Sequence, residues 1–113
     1  MNDAEKAKRQ LKIKTGVVNR LWKEHTLYKK ETEDNQVKLD QMKADPEADE
    51  WKIGNQGKLI QESEKMVLDT QKRLTSAVAE LRELVAHTKT HTVDFQDSEE
   101  LHNAEAALYE SSI

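Results

Sequence analysis

The sequence is expected to fold as an all-α protein: an elongated antiparallel three-helix bundle of coiled-coil character. Three observations lead there. Apolar residues recur every seven positions through two long stretches, and the only proline lies between those stretches. Apolar residues make up 35% of the chain and charged residues another 35%, below the roughly 45–50% apolar content that a rounded core needs. The charged residues are strong helix formers of both signs, so helices with narrow apolar stripes reconcile composition with folding.

The period is plainest in the second stretch, where Ile53, Ile60, Val67, Leu74, Leu81 and Thr88 are spaced by seven. Gln56, Ser63, Thr70, Ala77 and Leu84 follow three residues behind, completing a heptad seam with a strong first position and a small or polar second one. In the first stretch Leu11, Val18, His25, Thr32 and Leu39 alternate in the same way with Lys14, Leu21, Tyr28, Asn35 and Met42. Pro46 cannot continue a helix but suits the start of one, and Asp45 or Asp49 can cap the helix that follows. A connection this short makes the two helices antiparallel neighbours.

Facing residues in such a pair have numbers that add to a constant. The heptads permit 88, 95 or 102, and a turn centred near Glu47 selects 95. Leu11 then faces Leu84, Val18 faces Ala77, Leu21 faces Leu74 and Tyr28 faces Val67. His25 falls opposite Thr70 and Thr32 opposite Ser63, so the half nearer the turn is expected to be looser and wetter. Lys14 opposite Leu81 is expected to snorkel, its stem over apolar surface and its ammonium in water.

Gly54 and Gly57 each cost a helix about 1 kcal/mol relative to alanine, as does Gly16, and the start of helix two is expected to fray. That helix should end near His87–His91, where Thr88, Thr90 and Thr92 weaken it. A third helix is expected from Asp97 or Ser98, with Asp97 and Glu100 spaced as a capping box and a stripe of Leu101, Ala104 and Leu108. It is too short to stand alone. The expected organisation is a single domain over residues 1–113, with helices over about 4–44, 49–89 and 97–111. Two long helices of about 35–40 residues span some 52–60 Å each, which implies a rod.

Charge is unevenly spread. Residues 1–45 carry eleven Lys/Arg against eight Asp/Glu, whereas residues 91–113 carry six acidic groups and no Lys or Arg. Opposite ends are therefore expected to attract within the bundle. With no cysteine there is no disulfide, thiolate nucleophile or cysteine metal site. No apolar run approaches the roughly 20 residues of a membrane span, and the first residues lack the apolar core of a signal peptide. A cytoplasmic protein without membrane contact is the expectation.

No catalytic constellation stands out, and no enzyme and no cofactor are expected. His87 and His91 have the i, i+4 spacing of metal ligands, but neither an HExxH pattern nor a further ligand accompanies them. Glu24 and His25 are adjacent and so point apart on a helix; a seam histidine bonded to Thr70 is the expected arrangement. Gly54 and Gly57 have no strand before them and no Lys-Ser/Thr pair after them, which excludes a phosphate loop. The first thirty residues hold nine basic groups against three acidic ones, yet no groove-reading motif accompanies them, so nucleic acid is not an expected partner.

Apolar residues off the seam are the informative departures. Ile13 and Leu27 lie two heptads apart on an outer face of helix one, with Val17, Trp22 and Val37 adding to the surplus. Leu59 and Met66 flank the second seam on one side, Val78 and Val85 on the other, and Leu68 lies further round. A short third helix can cover only part of this, and the uncovered remainder is a candidate client-binding surface.

Two segments resemble a known family. Leu11-Lys12-Ile13-Lys14-Thr15-Gly16-Val17-Val18 with Arg20-Leu21, Lys23-Glu24 and Tyr28 is similar to the opening of tubulin-binding cofactor A (tubulin-specific chaperone A). Gln61-Glu62-Ser63, Met66-Val67, Asp69 and Gln71-Lys72-Arg73-Leu74, ending near Ala77, resemble its second signature. The resemblance spans roughly residues 11–85. It implies a monomeric or homodimeric three-helix bundle, cytoplasmic and cytoskeleton-associated. Such a protein captures β-tubulin released by the cytosolic chaperonin, stabilises it without catalysis, and meets other tubulin-folding cofactors indirectly. The implied contact residues are Lys12, Ile13, Lys14, Val17 and Arg20 in the first signature and Glu62, Met66, Leu68 and Asp69 in the second, joined by Leu27 from the outer face. The chain departs from the family where Glu64 replaces an arginine and Leu68 replaces a proline, so helix two is expected to run straighter. A homodimeric coiled-coil adaptor or tether is the alternative.

Overall fold

Helix-forming sequence runs almost without interruption through the computed structural model, which describes residues 3–91 and 98–112, His91 by its backbone alone. Helix α1 is Asp3–Ala44, α2 is Glu50–His91 and α3 is Glu99–Glu110, and no strand occurs among the described residues. Both candidate caps around Pro46 are used, for different purposes. The Asp45 carboxylate accepts from the Glu47 N–H at 2.9 Å and its carbonyl accepts from Ala48 at 3.2 Å, which closes a tight turn with Pro46 at its second position. The Asp49 carboxylate accepts from the Trp51 N–H at 2.9 Å, and its carbonyl accepts from Ile53 at 3.1 Å, so Asp49 is the N-cap of α2. Ser98 caps α3, accepting from the Leu101 N–H at 3.2 Å. The alternative start at Asp97, with its capping box, lies outside the described residues, as does Thr92.

The helices form two compact units. One takes Met1–Trp22 and Lys72–Ile113, the other Lys23–Gln71. In the first unit the seam is apolar. Leu11, Val18 and Leu21 of α1 meet Leu74, Ala77, Val78, Leu81 and Val85 of α2 and Leu101, Ala104 and Ala107 of α3. Val78 and Val85, off the seam, are buried here, and Trp22 packs against the same cluster. The stripe of α3 is therefore Leu101, Ala104 and Ala107, with Leu108 half-buried. Two alanines shorten the distance at which a 12-residue helix packs on the pair. Lys14 behaves as a snorkelling residue: it is half-buried, Leu81 is fully buried, and the ammonium donates to Glu80 at 3.0 Å. Near the end of α2 the threonine hydroxyls turn back onto the helix, Thr88 to the Leu84 carbonyl at 2.8 Å and Thr90 to Ala86 at 3.1 Å. The buried hydroxyl of Thr88 is thereby satisfied.

Among the described residues Lys89 of α2 bridges Glu105 of α3 at 2.9 Å, so this basic partner of the acidic helix comes from outside the first 45 residues, where the charge distribution put it. Both side chains are nearly half exposed, so the pair contributes about 0–1 kcal/mol and helps orient α3 more than it stabilises it. From α1, Lys12 lines a cavity of about 170 Å³ together with Glu99 and Glu100 of α3.

In the second unit the seam is polar, as the register requires. His25 Nδ1 lies 3.1 Å from the Thr70 hydroxyl. That hydroxyl donates its single hydrogen to the Met66 carbonyl at 2.8 Å, or to Val67 at 3.1 Å, so it accepts from His25, whose proton is on Nδ1. Further along, Gln56 donates to the Asn35 carbonyl at 2.9 Å, and Asn35 donates to Ser63 at 3.4 Å. Asn35 thus sits between two partners four residues to one side and three to the other, about the constant of 95. Thr32 returns its hydroxyl to the Tyr28 carbonyl at 2.9 Å, and the side-chain hydrogen bond to Ser63 comes from Asn35. Leu39 and Ile60 supply the buried apolar side chains of this unit.

Two stability outcomes are expected. A methyl group at Gly54 or Gly57 meets no atom within 4 Å, so Gly54→Ala and Gly57→Ala should each raise the unfolding free energy by about 0.5–1 kcal/mol in urea denaturation. Thr70→Val keeps the shape of the side chain but removes the acceptor of His25. It should lower stability by about 1–2 kcal/mol, against near-neutrality for Thr26→Val at an exposed position.

Candidate functional site

A helix that buries one stripe leaves its other faces to solvent, and most large apolar side chains on those faces are unexplained by packing. In the first unit Ile13 is 57% exposed. Arg20, seven residues on and therefore on the same line of α1, is exposed too. Val17 lies between them on the side nearer α2, half-buried against the core, and borders an open groove with Arg20, Lys72, Arg73, Ser76, Ala77 and Glu80. Lys14 is held by Glu80 across the seam. Lys12 faces a different way, into the small cavity beside Glu99, Glu100, Thr15 and Asn103. The five residues of the first signature thus divide between two flanks.

The second unit shows the same division. Leu27 is 65% exposed on α1. On α2, Met66 is 38% exposed and follows Leu59 by one heptad, with Glu62 exposed and Asp69 half-buried alongside. Leu68, 59% exposed, is two residues from Met66 and so projects from another side of the helix. There it borders an open, apolar groove of about 420 Å³ with Val67 and Thr32, edged by Lys29, Glu33 and Glu64. The two departures from the family pattern, Glu64 and Leu68, meet in this groove, and α2 passes through both as unbroken helix.

Two large exposed side chains escaped the sequence reading. Trp51, 72% exposed, stands in the first turn of α2, and Tyr109, 83% exposed, stands on the outer side of α3. The heptad that contains Ile53 and Ile60 already places position 51 fully outward, and Tyr109 lies off the Leu101–Ala104–Ala107 stripe, so the period carried the signal.

Isolated apolar side chains stand among Lys, Arg and Glu, and among the described residues no group of three or more His, Asp or Glu side chains is placed to hold a metal ion. His87 and Glu24 each have a partner, and His25 is spent on Thr70.

Comparison with known proteins places this architecture. Residues 6–108 match the family model described as tubulin binding cofactor A. Tubulin-specific chaperone A of Rattus norvegicus is 39% identical over 100 residues, covering 88% of each chain. Tubulin-folding cofactor A of Arabidopsis thaliana is 36% identical over 100 residues, covering 88% of this chain and 86% of its own. Among solved structures, human tubulin chaperone cofactor a superposes with a TM-score of 0.80 at 34% identity, over 95% of this chain and 99% of that one. An all-helical fold, a heptad seam in the expected register and a match over nearly the whole length converge: the chain belongs to the tubulin binding cofactor A family.

Proposed function

We propose that this protein is a cytoplasmic tubulin-folding cofactor that captures β-tubulin after its release from the chaperonin and stabilises it without catalysing a reaction. Family membership supports tubulin as the client, since the animal relative is named a tubulin-specific chaperone and the plant relative a tubulin-folding cofactor. The observation that carries the reading is the set of exposed apolar side chains on the helices: Ile13 in the first unit, and Leu27, Met66 and Leu68 in the second. An unassembled subunit displays apolar surface that it will later bury, and such side chains cover it without requiring a pocket. The neighbouring charges, Lys12, Lys14 and Arg20 in the first unit and Glu62 and Asp69 in the second, set orientation and keep the unbound protein soluble. No described helix is long and apolar enough to cross a membrane.

The reading is tested by capture from cytosol at low salt, with and without ATP. The unaltered protein should recover β-tubulin equally in both conditions. Ile13→Asp and Leu68→Asp should each lower recovery by roughly tenfold or more while leaving helical content unchanged, because exposed positions tolerate charge in the free protein. Failure of the unaltered protein to recover β-tubulin would sink the proposal.

A further inference from the structure

We infer that one flank of the second unit, where Leu27 and Met66 stand among Glu31, Asp34 and Glu62, is a docking face for a basic amphipathic helix of the client. The hairpin of this unit has two flanks along its seam. The groove of Lys29, Glu33, Glu64 and Leu68 marks one of them. At about 100° per residue, Leu27, Glu31 and Asp34 of α1 and Leu59, Glu62 and Met66 of α2 fall on the other. The hydrogen bonds of His25 with Thr70 and of Asn35 with Ser63 hold the two sets side by side. All three apolar side chains are exposed. Glu31, Asp34 and Glu62 are exposed too, and their carboxylates have no partner among the described residues. Glu24 and Asp69, half-buried on the same flank, already have partners, so the free carboxylates are the other three. The sign holds around the flank as well: residues 24–36 and the residues facing them, 59–71, carry seven acidic groups against three basic ones. Towards the turn, Lys38 ends the acidic stretch.

The form of the partner follows from the fold. Among the described residues no strand offers an edge to pair with, so a docking segment must satisfy its own backbone, as a helix does. Leu59 and Met66 are seven residues apart, about 10 Å along α2, which matches two turns of a helix laid against them. The apolar stripe of that helix covers Leu27, Leu59 and Met66, and Lys or Arg at its edges meets the three free carboxylates. Nucleic acid and anionic lipid, whose phosphates carry the opposite charge, are repelled by the same carboxylates. The occupant rests on the client-capture reading above, but binding of an isolated peptide can be measured apart from it.

The test is fluorescence anisotropy of the full chain with a labelled helical peptide that has Leu along one face and Lys at its edges. Two controls accompany it: a twin carrying Glu for Lys, and a peptide of the same composition with its Leu residues dispersed around the helix. The basic amphipathic peptide should bind roughly tenfold or more tightly than either control. Glu31→Gln/Asp34→Asn/Glu62→Gln should weaken it roughly tenfold, and so should Leu27→Ser/Met66→Ser. Glu33→Gln/Asp40→Asn/Glu64→Gln removes the same charge from the other flank and should leave binding within about twofold, with helical content unchanged throughout. Equal binding of the dispersed peptide, or equal loss in the two charge-removing variants, would overturn the inference, since net charge alone then accounts for the binding. Recovery of β-tubulin undiminished by the Glu31/Asp34/Glu62 variant overturns it too and leaves client capture standing. Peptide preference without β-tubulin recovery supports the docking face and removes the client reading.

Discussion

A helix with a narrow apolar stripe gains stability only where a second stripe covers it, and the Asp45–Asp49 turn sets how the stripes of α1 and α2 meet. Asp45 closes the reversal around Pro46, and Asp49 restarts the helix by taking its orphan amide. With the reversal fixed, a shift by one heptad would place every facing pair against the wrong partner. His25 would lose Thr70 and Asn35 would lose both Gln56 and Ser63. Leaving such groups buried without partners is costly, so the polar pairs specify register more than they add to stability.

The seam divides the work between the two units. In the first, aliphatic side chains from three helices form one cluster, and burial of apolar surface dominates. In the second, two helices meet through Leu39 and Ile60 and through hydrogen-bonded side chains, each contributing about 1 kcal/mol net. Lower apolar burial there predicts lower local stability, on physical grounds the same that let regions which adapt to partners open more readily. The exposed Leu27 and Leu68 belong to this unit, and Ile13 to the better-packed one.

Exposure of large apolar side chains is tolerated because charges surround them. Ile13 has Arg9 and Arg20 along its line of α1, and Leu68 has Glu64, Lys65 and Lys72 along its side of α2, so no continuous greasy strip runs through either residue.

Much of this architecture was determined by the sequence alone. A seven-residue period says which residues face inward, one proline says where the chain reverses, and together they set the pairing of His25 with Thr70 and the contrast between an apolar and a polar stretch of seam. Two signatures in helical segments point to the family that the match over residues 6–108 established. Tertiary structure alone decided the flanks. The positions on either side of a heptad seam are equivalent as far as the period goes, so only packing shows that α3 covers the flank of Trp22, Val78 and Val85 and leaves that of Val17 and Arg73 open. For the same reason Lys12 and Val17, or Met66 and Leu68, read as neighbours in sequence yet serve different surfaces. Ala107 entered the α3 stripe, and Asn35 rather than Thr32 makes the hydrogen bond to Ser63, because which of several near-equivalent side chains reaches a partner depends on distances that periodicity does not encode.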